Sequence, residues 1–296
     1  MKYLYLQKLI VLGIILFSDI TYNVGYSLYN IDKIKKVSFL SKMIYSYRDD
    51  VIEDKKLQNT LISNNLISNN LRLNNLIIRN IICNKNNNMK CIILIDHNRK
   101  EIYTVFKGTT TITDWFYNFN IFPVKITNCT LFEVHSGIYK LYCSDNFNNN
   151  IINNLLQINR ENRLYKNYIC GHSRGGVHSQ LLSFELNKKN PKLDIEVYTF
   201  GSPFLLNRPF CDYLTNNRKI EINNIIDEKD ILPYINFYYA KPFGNILTLK
   251  NNLLIVNKSF NQKKTDVSLL YNSIINIKSH IYYHNISSYY TYINKL

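Results

Sequence analysis

The feature that most constrains the fold is a Gly-x-Ser-x-Gly segment from Gly171 to Gly175, which follows an apolar run at 168–170. Glycines at this spacing suit a sharp strand-to-helix turn, because side chains two residues either way would collide with the strand and the helix. The alternative is a glycine-rich turn without chemistry. We predict that Ser173 is a catalytic nucleophile and that the backbone N–H of Arg174 stabilises an oxyanion.

The length of the chain allows one large core. It has 296 residues, of which 46% are hydrophobic, and this is sufficient for a single α/β domain. We predict that this domain spans 23–296 behind a leader at 1–22, in which Lys2 and Lys8 precede an apolar run at 9–17. That run is too short to span a bilayer comfortably. The pattern favours a secretory signal peptide over an uncleaved anchor, and hence secretion or an endomembrane lumen.

The net charge is strongly positive, at +15. Lys and Arg are scattered along the chain, which is rich in Asn, Ile and Tyr and has Ala240 as its only alanine. This composition is typical of an AT-rich coding sequence, and it does not indicate a nucleic-acid partner. Adsorption to an anionic lipid surface is the alternative explanation of the charge.

Six cysteines in a chain with a predicted signal peptide permit disulfides. Cys83 and Cys91 flank a short polar turn, and Cys129 and Cys143 form a second candidate pair. Cys170 lies in the strand that enters the glycine-serine turn, so we predict a buried free thiol there.

Hydrophobic patterning places several elements around this turn. Apolar residues at helical spacing predict a helix over 35–47, and two β-rich runs at 91–95 and 102–106 predict a hairpin. Alternation and β-branching predict strands at 195–200 and 220–226. We assign no function to the repetitive Asn-Leu-Ile tract between 57 and 76.

The segment after the second run of the hairpin, Lys107-Gly108-Thr109, resembles the Arg-Gly-Thr/Ser segment of the class 3 (fungal-type) lipase family. The resemblance implies that Thr109 supplies the second oxyanion donor with its backbone N–H and hydroxyl. Acyl transfer needs such a donor opposite the nucleophile. Residues 112–119 resemble the lid of the family, with an ordinary core-facing helix as the alternative.

Further along the chain, Thr-Phe-Gly-Ser-Pro at 199–203 again resembles the class 3 pattern. The triad acid of the family lies in an Asp-x-Val-Pro context after the next strand, so the resemblance implies Asp230 and not Asp227. His135 lies in a stretch similar to a structural histidine of the family. The largest departure is Arg174, where the family usually has leucine.

Two histidines near the C-terminal end are candidates for the base. His284 matches the His-x-x-x-x-Tyr ending of many family members, and His280 matches the shorter His-x-x-Tyr ending of others. We prefer His284. The catalytic acid would then hold the tautomer of this imidazole and stabilise its protonated form.

Nucleophile, acid and base follow one another in the order Ser, Asp, His, which is the order of the α/β-hydrolase fold, with a mostly parallel central sheet flanked by helices. The resemblance implies a serine-dependent hydrolase of acylglycerol esters, with a lipid or emulsion surface as its partner. The alternatives are a phospholipase, a small-ester esterase, or a non-catalytic lipid-binding protein on the same scaffold. The chemistry implies no cofactor and no metal, and the sequence leaves the oligomeric state open.

Overall fold

The structure is a computed structural model. It describes residues 30–46, 75–109, 122–126, 129–234, 242–257 and 282–296. The predicted leader at 1–22, the predicted lid at 112–119 and the alternative base His280 lie outside the described residues. Among the residues described, no helix is both long and apolar enough to cross a bilayer.

The fold is built on a large sheet. Its strands are β1 (Leu76–Asn84), β2 (Met89–Asp96), β3 (Glu101–Phe106), β6 (Lys166–His172), β7 (Ile195–Phe200), β8 (Ile220–Asp227), β9 (Asn245–Lys250) and β10 (Leu253–Asn257). In the described part of the chain these eight strands pair in the order β1-β2-β3-β6-β7-β8-β9-β10. A separate two-stranded sheet joins β4 (Pro123–Ile126) to β5 (Cys129–His135).

Helices cover both faces of the large sheet. They are α1 (Ile31–Ser46), α2 (Ser136–Cys143), α3 (Phe147–Glu161), α4 (Arg174–Lys189), α5 (Arg208–Asn216) and α6 (Ile286–Ile293). Successive strand residues point to opposite faces and so divide between two hydrophobic clusters. One cluster lies under α2 to α5, and the other lies under α1 and α6.

The centre of the sheet is parallel, from β3 through β6, β7 and β8 to β9. Helices cover both faces of these parallel strands, which explains the almost unbroken burial of β6 and β8. The carboxyl ends of parallel strands meet at one edge of a sheet. That edge is where α/β folds of this kind place their sites.

Helix α1 crosses the sheet and is held there by buried ion pairs. The Lys36 ammonium lies 3.0 Å from the Asp96 carboxylate, and the Lys33 ammonium lies 2.5 Å from that of Glu101. These contacts fix the helix against the antiparallel edge of the sheet. Its last turn then carries Tyr45 to the carboxyl ends of the strands.

The predicted elements are found where the patterns placed them. The predicted hairpin is β2 and β3, the two later runs are β7 and β8, and the predicted helix is α1. Strand β1 was not predicted, because its first residue lies in the Asn-Leu-Ile tract. Alternate residues of β1 are exposed at the sheet edge, and the residues between them are at least partly buried.

The structure contradicts the suggested disulfides, since neither pair of cysteines is joined by a disulfide. Cys91 faces Ile82 across the β1–β2 pair, whereas Cys83 faces Lys90 and so points to the other side of the sheet. Cys129 and Cys143 are both half-buried and unpaired. Cys170 is a buried free thiol as predicted, and burial raises its pKa to about 12.

A buried histidine in α4 makes stability depend on pH. His178 has no exposed surface and packs between the rings of Phe106 and Tyr142. Burial, reinforced by the charge of Arg174, holds the pKa of His178 well below its usual range. Because the unfolded chain then binds the extra proton below a pH of about 6.5, acid favours unfolding.

We expect His178→Phe to reduce this dependence. The free energy of unfolding of the wild type should fall by up to about 1.4 kcal/mol per pH unit more than that of the variant, below a pH of about 6.5. Urea unfolding of both proteins at neutral and at mildly acidic pH measures the difference. An equal loss in the two proteins would show that His178 is not the titrating group.

Candidate active site

Ser173 lies at the junction of β6 and α4 with φ 56° and ψ −127°. A non-glycine residue in this region carries a strain of about 1–3 kcal/mol. The glycines on either side are needed for packing, since a Cβ on Gly171 would lie 2.4 Å from the carbonyl carbon of Gly175. The turn therefore presents the Ser173 hydroxyl at the carboxyl edge of the sheet.

His284 brings the C-terminal segment to this hydroxyl. Its Nε2 lies 2.9 Å from the Ser173 Oγ, and its Nδ1 lies 2.8 Å from the Asp230 Oδ2. A carboxylate accepts hydrogen bonds, so Nδ1 carries the proton and Nε2 is free to accept one from the serine. Asp230 and His284 are 0% and 2% exposed. Bulk water is thereby kept from both hydrogen bonds.

The local sequence explains how Asp230 reaches the imidazole. Strand β8 ends at Asp227, whose side chain accepts a hydrogen bond from the Lys229 N–H at 2.9 Å and whose carbonyl accepts one from the Asp230 N–H at 2.9 Å. This turn directs the chain back over the sheet edge. Asp227 itself makes no contact with His284 among the described hydrogen bonds and ion pairs.

Two further donors hold the Asp230 carboxylate. The Tyr289 hydroxyl donates to Oδ2 at 2.7 Å, and the Leu232 N–H donates to Oδ1 at 3.0 Å. Tyr289 lies on α6, which Asn285 caps by accepting the Ser287 N–H at 2.8 Å. The cap starts the helix directly after His284, so base and tyrosine reach the acid from one rigid element.

Gly201 makes room for this arrangement at the end of β7. Its φ is +56°, and a Cβ there would lie 2.7 Å from the Asp230 Oδ2 and 3.1 Å from the His284 Nδ1. The glycine of the Gly-Ser-Pro pattern is therefore explained by the close approach of acid and base.

His172 holds the backbone of the proposed base, His284, by a hydrogen bond. Its Nε2 lies 2.5 Å from the His284 carbonyl, which only accepts, so Nε2 is the protonated nitrogen. Its Nδ1 then accepts the Tyr45 hydroxyl at 2.9 Å. Burial holds the pKa of His172 well below its usual range. A neutral imidazole thus fixes the backbone of His284.

Thr109 follows the end of β3, and Arg174 follows Ser173 at the end of the neighbouring strand β6. The parallel pairing sets Phe106 of β3 beside Gly171 of β6. Thr109 lies three positions after Phe106, and Arg174 lies three positions after Gly171. A Cβ on Gly175 would lie 2.6 Å from the Phe106 carbonyl oxygen, which shows how closely the two segments approach. The Thr109 hydroxyl is buried and has no hydrogen-bond partner among the described atoms.

His135 lies at the end of β5, before α2, and is buried. Burial lowers its pKa to about 4, and no described hydrogen bond joins it to Ser173 or Asp230. The sequence analysis did not predict the contacts that three further residues make in the site. These are Tyr45, His172 and Tyr289.

The sheet order, the strained serine turn and the Ser-His-Asp contacts define an α/β-hydrolase fold. Two solved structures have the same fold: a triacylglyceride lipase of Rhizomucor miehei (TM-score 0.65, 20% identity, 86% of this chain and 92% of that one) and a lipase of Rhizopus microsporus var. chinensis (TM-score 0.67, 16% identity, 85% and 87%).

The sequence comparisons confirm the resemblance to the class 3 lipases. Residues 103–239 match the family model described as "Lipase (class 3)". A lipase of Rhizomucor miehei is 26% identical over 141 residues, which are 47% of this chain and 38% of that protein. A secreted mono- and diacylglycerol lipase of Fusarium solani is 27% identical over 149 residues, 50% and 44% respectively. The matches thus span less than half the length of these relatives.

Proposed function

We propose that this protein is a serine-dependent hydrolase of lipid esters. The observation that carries the proposal is the continuous hydrogen-bonded chain from Asp230 through His284 to Ser173. A neutral imidazole between a buried carboxylate and a strained serine is the arrangement that activates an alcohol as a nucleophile. The similarity to class 3 lipases supports the same chemistry.

In the proposed mechanism, Nε2 of His284 takes the proton of the Ser173 hydroxyl as Oγ attacks the ester carbonyl. The carbonyl oxygen gains negative charge, and the N–H groups of Thr109 and Arg174 and the Thr109 hydroxyl stabilise it. The Thr109 hydroxyl supports this role, because it has no hydrogen bond to another described atom that binding of the oxyanion would break.

The intermediate collapses when His284 returns its proton to the leaving alcohol, which leaves an acyl group on Ser173. Water then attacks the acyl-enzyme with His284 again as the base, and the fatty acid is released. Asp230 stabilises the imidazolium that forms in each half. All reacting groups come from the chain, so this chemistry requires no cofactor and no metal.

The proposed substrates are acylglycerols or related glycerolipids at a lipid surface. The Fusarium relative is described as a secreted mono- and diacylglycerol lipase, and other relatives are described as lipases.

The apolar run near the N-terminus supports secretion of this protein as well. We propose that residues 1–22 are removed and that 23–296 form the mature domain, which intact-mass measurement of the secreted protein tests.

The proposed function predicts two results for the secreted protein. A fluorophosphonate probe is expected to label Ser173, because the probe reacts with serines that a neighbouring base activates. The protein is also expected to release fatty acid from emulsified triacylglycerol or from phospholipid vesicles. Mass spectrometry of the labelled peptide and titration of released acid measure these results. If the probe does not label Ser173 and no fatty acid is released, the results would instead support a non-catalytic lipid-binding protein.

A further inference from the structure

Arg174 carries a buried positive charge beside the nucleophile. The residue is only 8% exposed, and its Nε has no hydrogen-bond partner within the described structure. None of the ion pairs formed by the described residues includes it. Guanidinium stays protonated at every working pH, so the charge persists.

Among the described residues, the two groups that interact electrostatically with this guanidinium cannot neutralise it. One of them is the Tyr45 hydroxyl, but burial raises the pKa of Tyr45, which therefore stays neutral. His178 also lies within range, and burial keeps it neutral by lowering its pKa. An isolated charge in such surroundings is unfavourable unless an anion joins it.

Arg174 directly follows the nucleophile Ser173 in the chain. The Tyr45 hydroxyl, which interacts with the Arg174 charge, is packed against the loop after β3, since a Cβ on Gly108 would lie 2.3 Å from that oxygen. Gly108 precedes Thr109, the proposed oxyanion donor. An anion held by Arg174 would thus sit close to the ester carbonyl that Ser173 attacks.

We propose that the Arg174 side chain binds the phosphate of a glycerophospholipid whose acyl ester is cleaved at Ser173. This inference rests on the proposed function and narrows its substrate class. A guanidinium presents paired N–H donors that match the oxygens of a phosphate. Glycerophospholipids carry an acyl ester and a phosphate on adjacent carbons of one glycerol, which suits a cation next to the nucleophile. The net charge of +15 is complementary to a surface of anionic lipids.

The test compares two soluble substrates that differ only in the phosphate, dibutyrylglycerol phosphate and dibutyrylglycerol. Both are used as monomers, so that attraction of the basic protein to an anionic surface plays no part. We expect the wild type to have the higher kcat/KM for the phosphate. In Arg174→Leu the ratio of the two values should fall about 10- to 100-fold, and in Arg174→Lys it should fall less.

Arg218→Leu is the matched control. Arg218 is exposed and precedes β8, at the opposite edge of the sheet from the carboxyl ends, and its replacement removes the same charge. This variant should keep the wild-type ratio. A wild-type ratio near one, or a ratio that Arg174→Leu leaves unchanged, would overturn the proposal. Activity on dibutyrylglycerol and labelling of Ser173 show separately whether the proposed function holds.

A second measurement needs no variant at position 174. Dihexyl ethers of glycerol phosphate and of glycerol cannot be cleaved, and the phosphate ether should inhibit the wild type at least about tenfold more strongly. Equal inhibition would contradict headgroup binding. Hexanoate tests the other source of an anion, the fatty acid product: stronger inhibition by hexanoate than by the phosphate ether would assign Arg174 to product binding and overturn the proposal.

Discussion

Ser173→Ala is expected to lower kcat/KM for a soluble ester by on the order of 10⁴- to 10⁶-fold, because it removes the atom that attacks the carbonyl. The residual rate would come from substrate binding and the oxyanion donors alone. Hydrolysis of dibutyrylglycerol and the rate of fluorophosphonate labelling measure the loss. A residual activity above about one hundredth of the wild type would exclude Ser173 as the nucleophile.

Ser202→Ala is the matched control for this variant. Ser202 follows Gly201 at the same edge of the sheet, is buried, and has no hydrogen-bond partner for its hydroxyl among the described atoms. Its replacement removes the same atom without breaking a described contact, so activity should stay near that of the wild type. Equal losses in Ser173→Ala and Ser202→Ala would indicate damage to the fold, not to the chemistry.

The same hydrolysis assay distinguishes the two candidate bases, His284 and His280. His284→Ala removes the group that bonds both the serine and the acid, so we expect a loss of the same order as for Ser173→Ala. His280→Ala should change kcat/KM less than about tenfold. The reverse order would assign the base to His280.

The residues of the proposed triad could be proposed from the sequence because each lies in a short local pattern, after a strand or before a helix. Ser173 stands between glycines, Asp230 follows β8 and precedes a proline, and His284 precedes a helical segment. Local patterns fix such positions because parallel strands bring their carboxyl ends to one edge. Thr109 was predicted in the same way, from its place after β3, and its role as an oxyanion donor stays a prediction.

The supporting contacts were not predictable, because they join segments that are far apart in the sequence. Tyr45 bonds His172 across 127 positions, and His172 bonds the carbonyl of His284 across 112. Only the path of α1 over the sheet brings these groups together. The contact between Tyr289 and Asp230 likewise depends on how α6 packs against the loop after β8.

We propose two separable roles for one position of the turn, Arg174. Its backbone N–H is proposed to stabilise the oxyanion, and every non-proline residue supplies that group. Its side chain is proposed to recognise a phosphate, and this depends on the guanidinium. A side-chain substitution should therefore change the choice of substrate more than the rate of labelling at Ser173.

Asp230→Asn is expected to lower kcat about 10⁴-fold with little change in KM, because the acid acts on the base and not on the bound substrate. The carboxylate holds the proton of His284 on Nδ1, and the amide of asparagine offers a donor in its place. The imidazole would then carry its proton on Nε2 and could no longer accept one from Ser173. Steady-state kinetics with dibutyrylglycerol measure kcat and KM separately.

Asp227→Asn is the control that tests whether the effect belongs to one carboxylate. Asp227 lies in the same turn and is buried, and its Oδ1 accepts the Lys229 N–H, an interaction that asparagine retains. It makes no described contact with His284, so kcat should change less than about tenfold. A greater loss of kcat in Asp227→Asn than in Asp230→Asn would move the acid to Asp227. The two variants thus decide between the acids with the fold of the turn held constant.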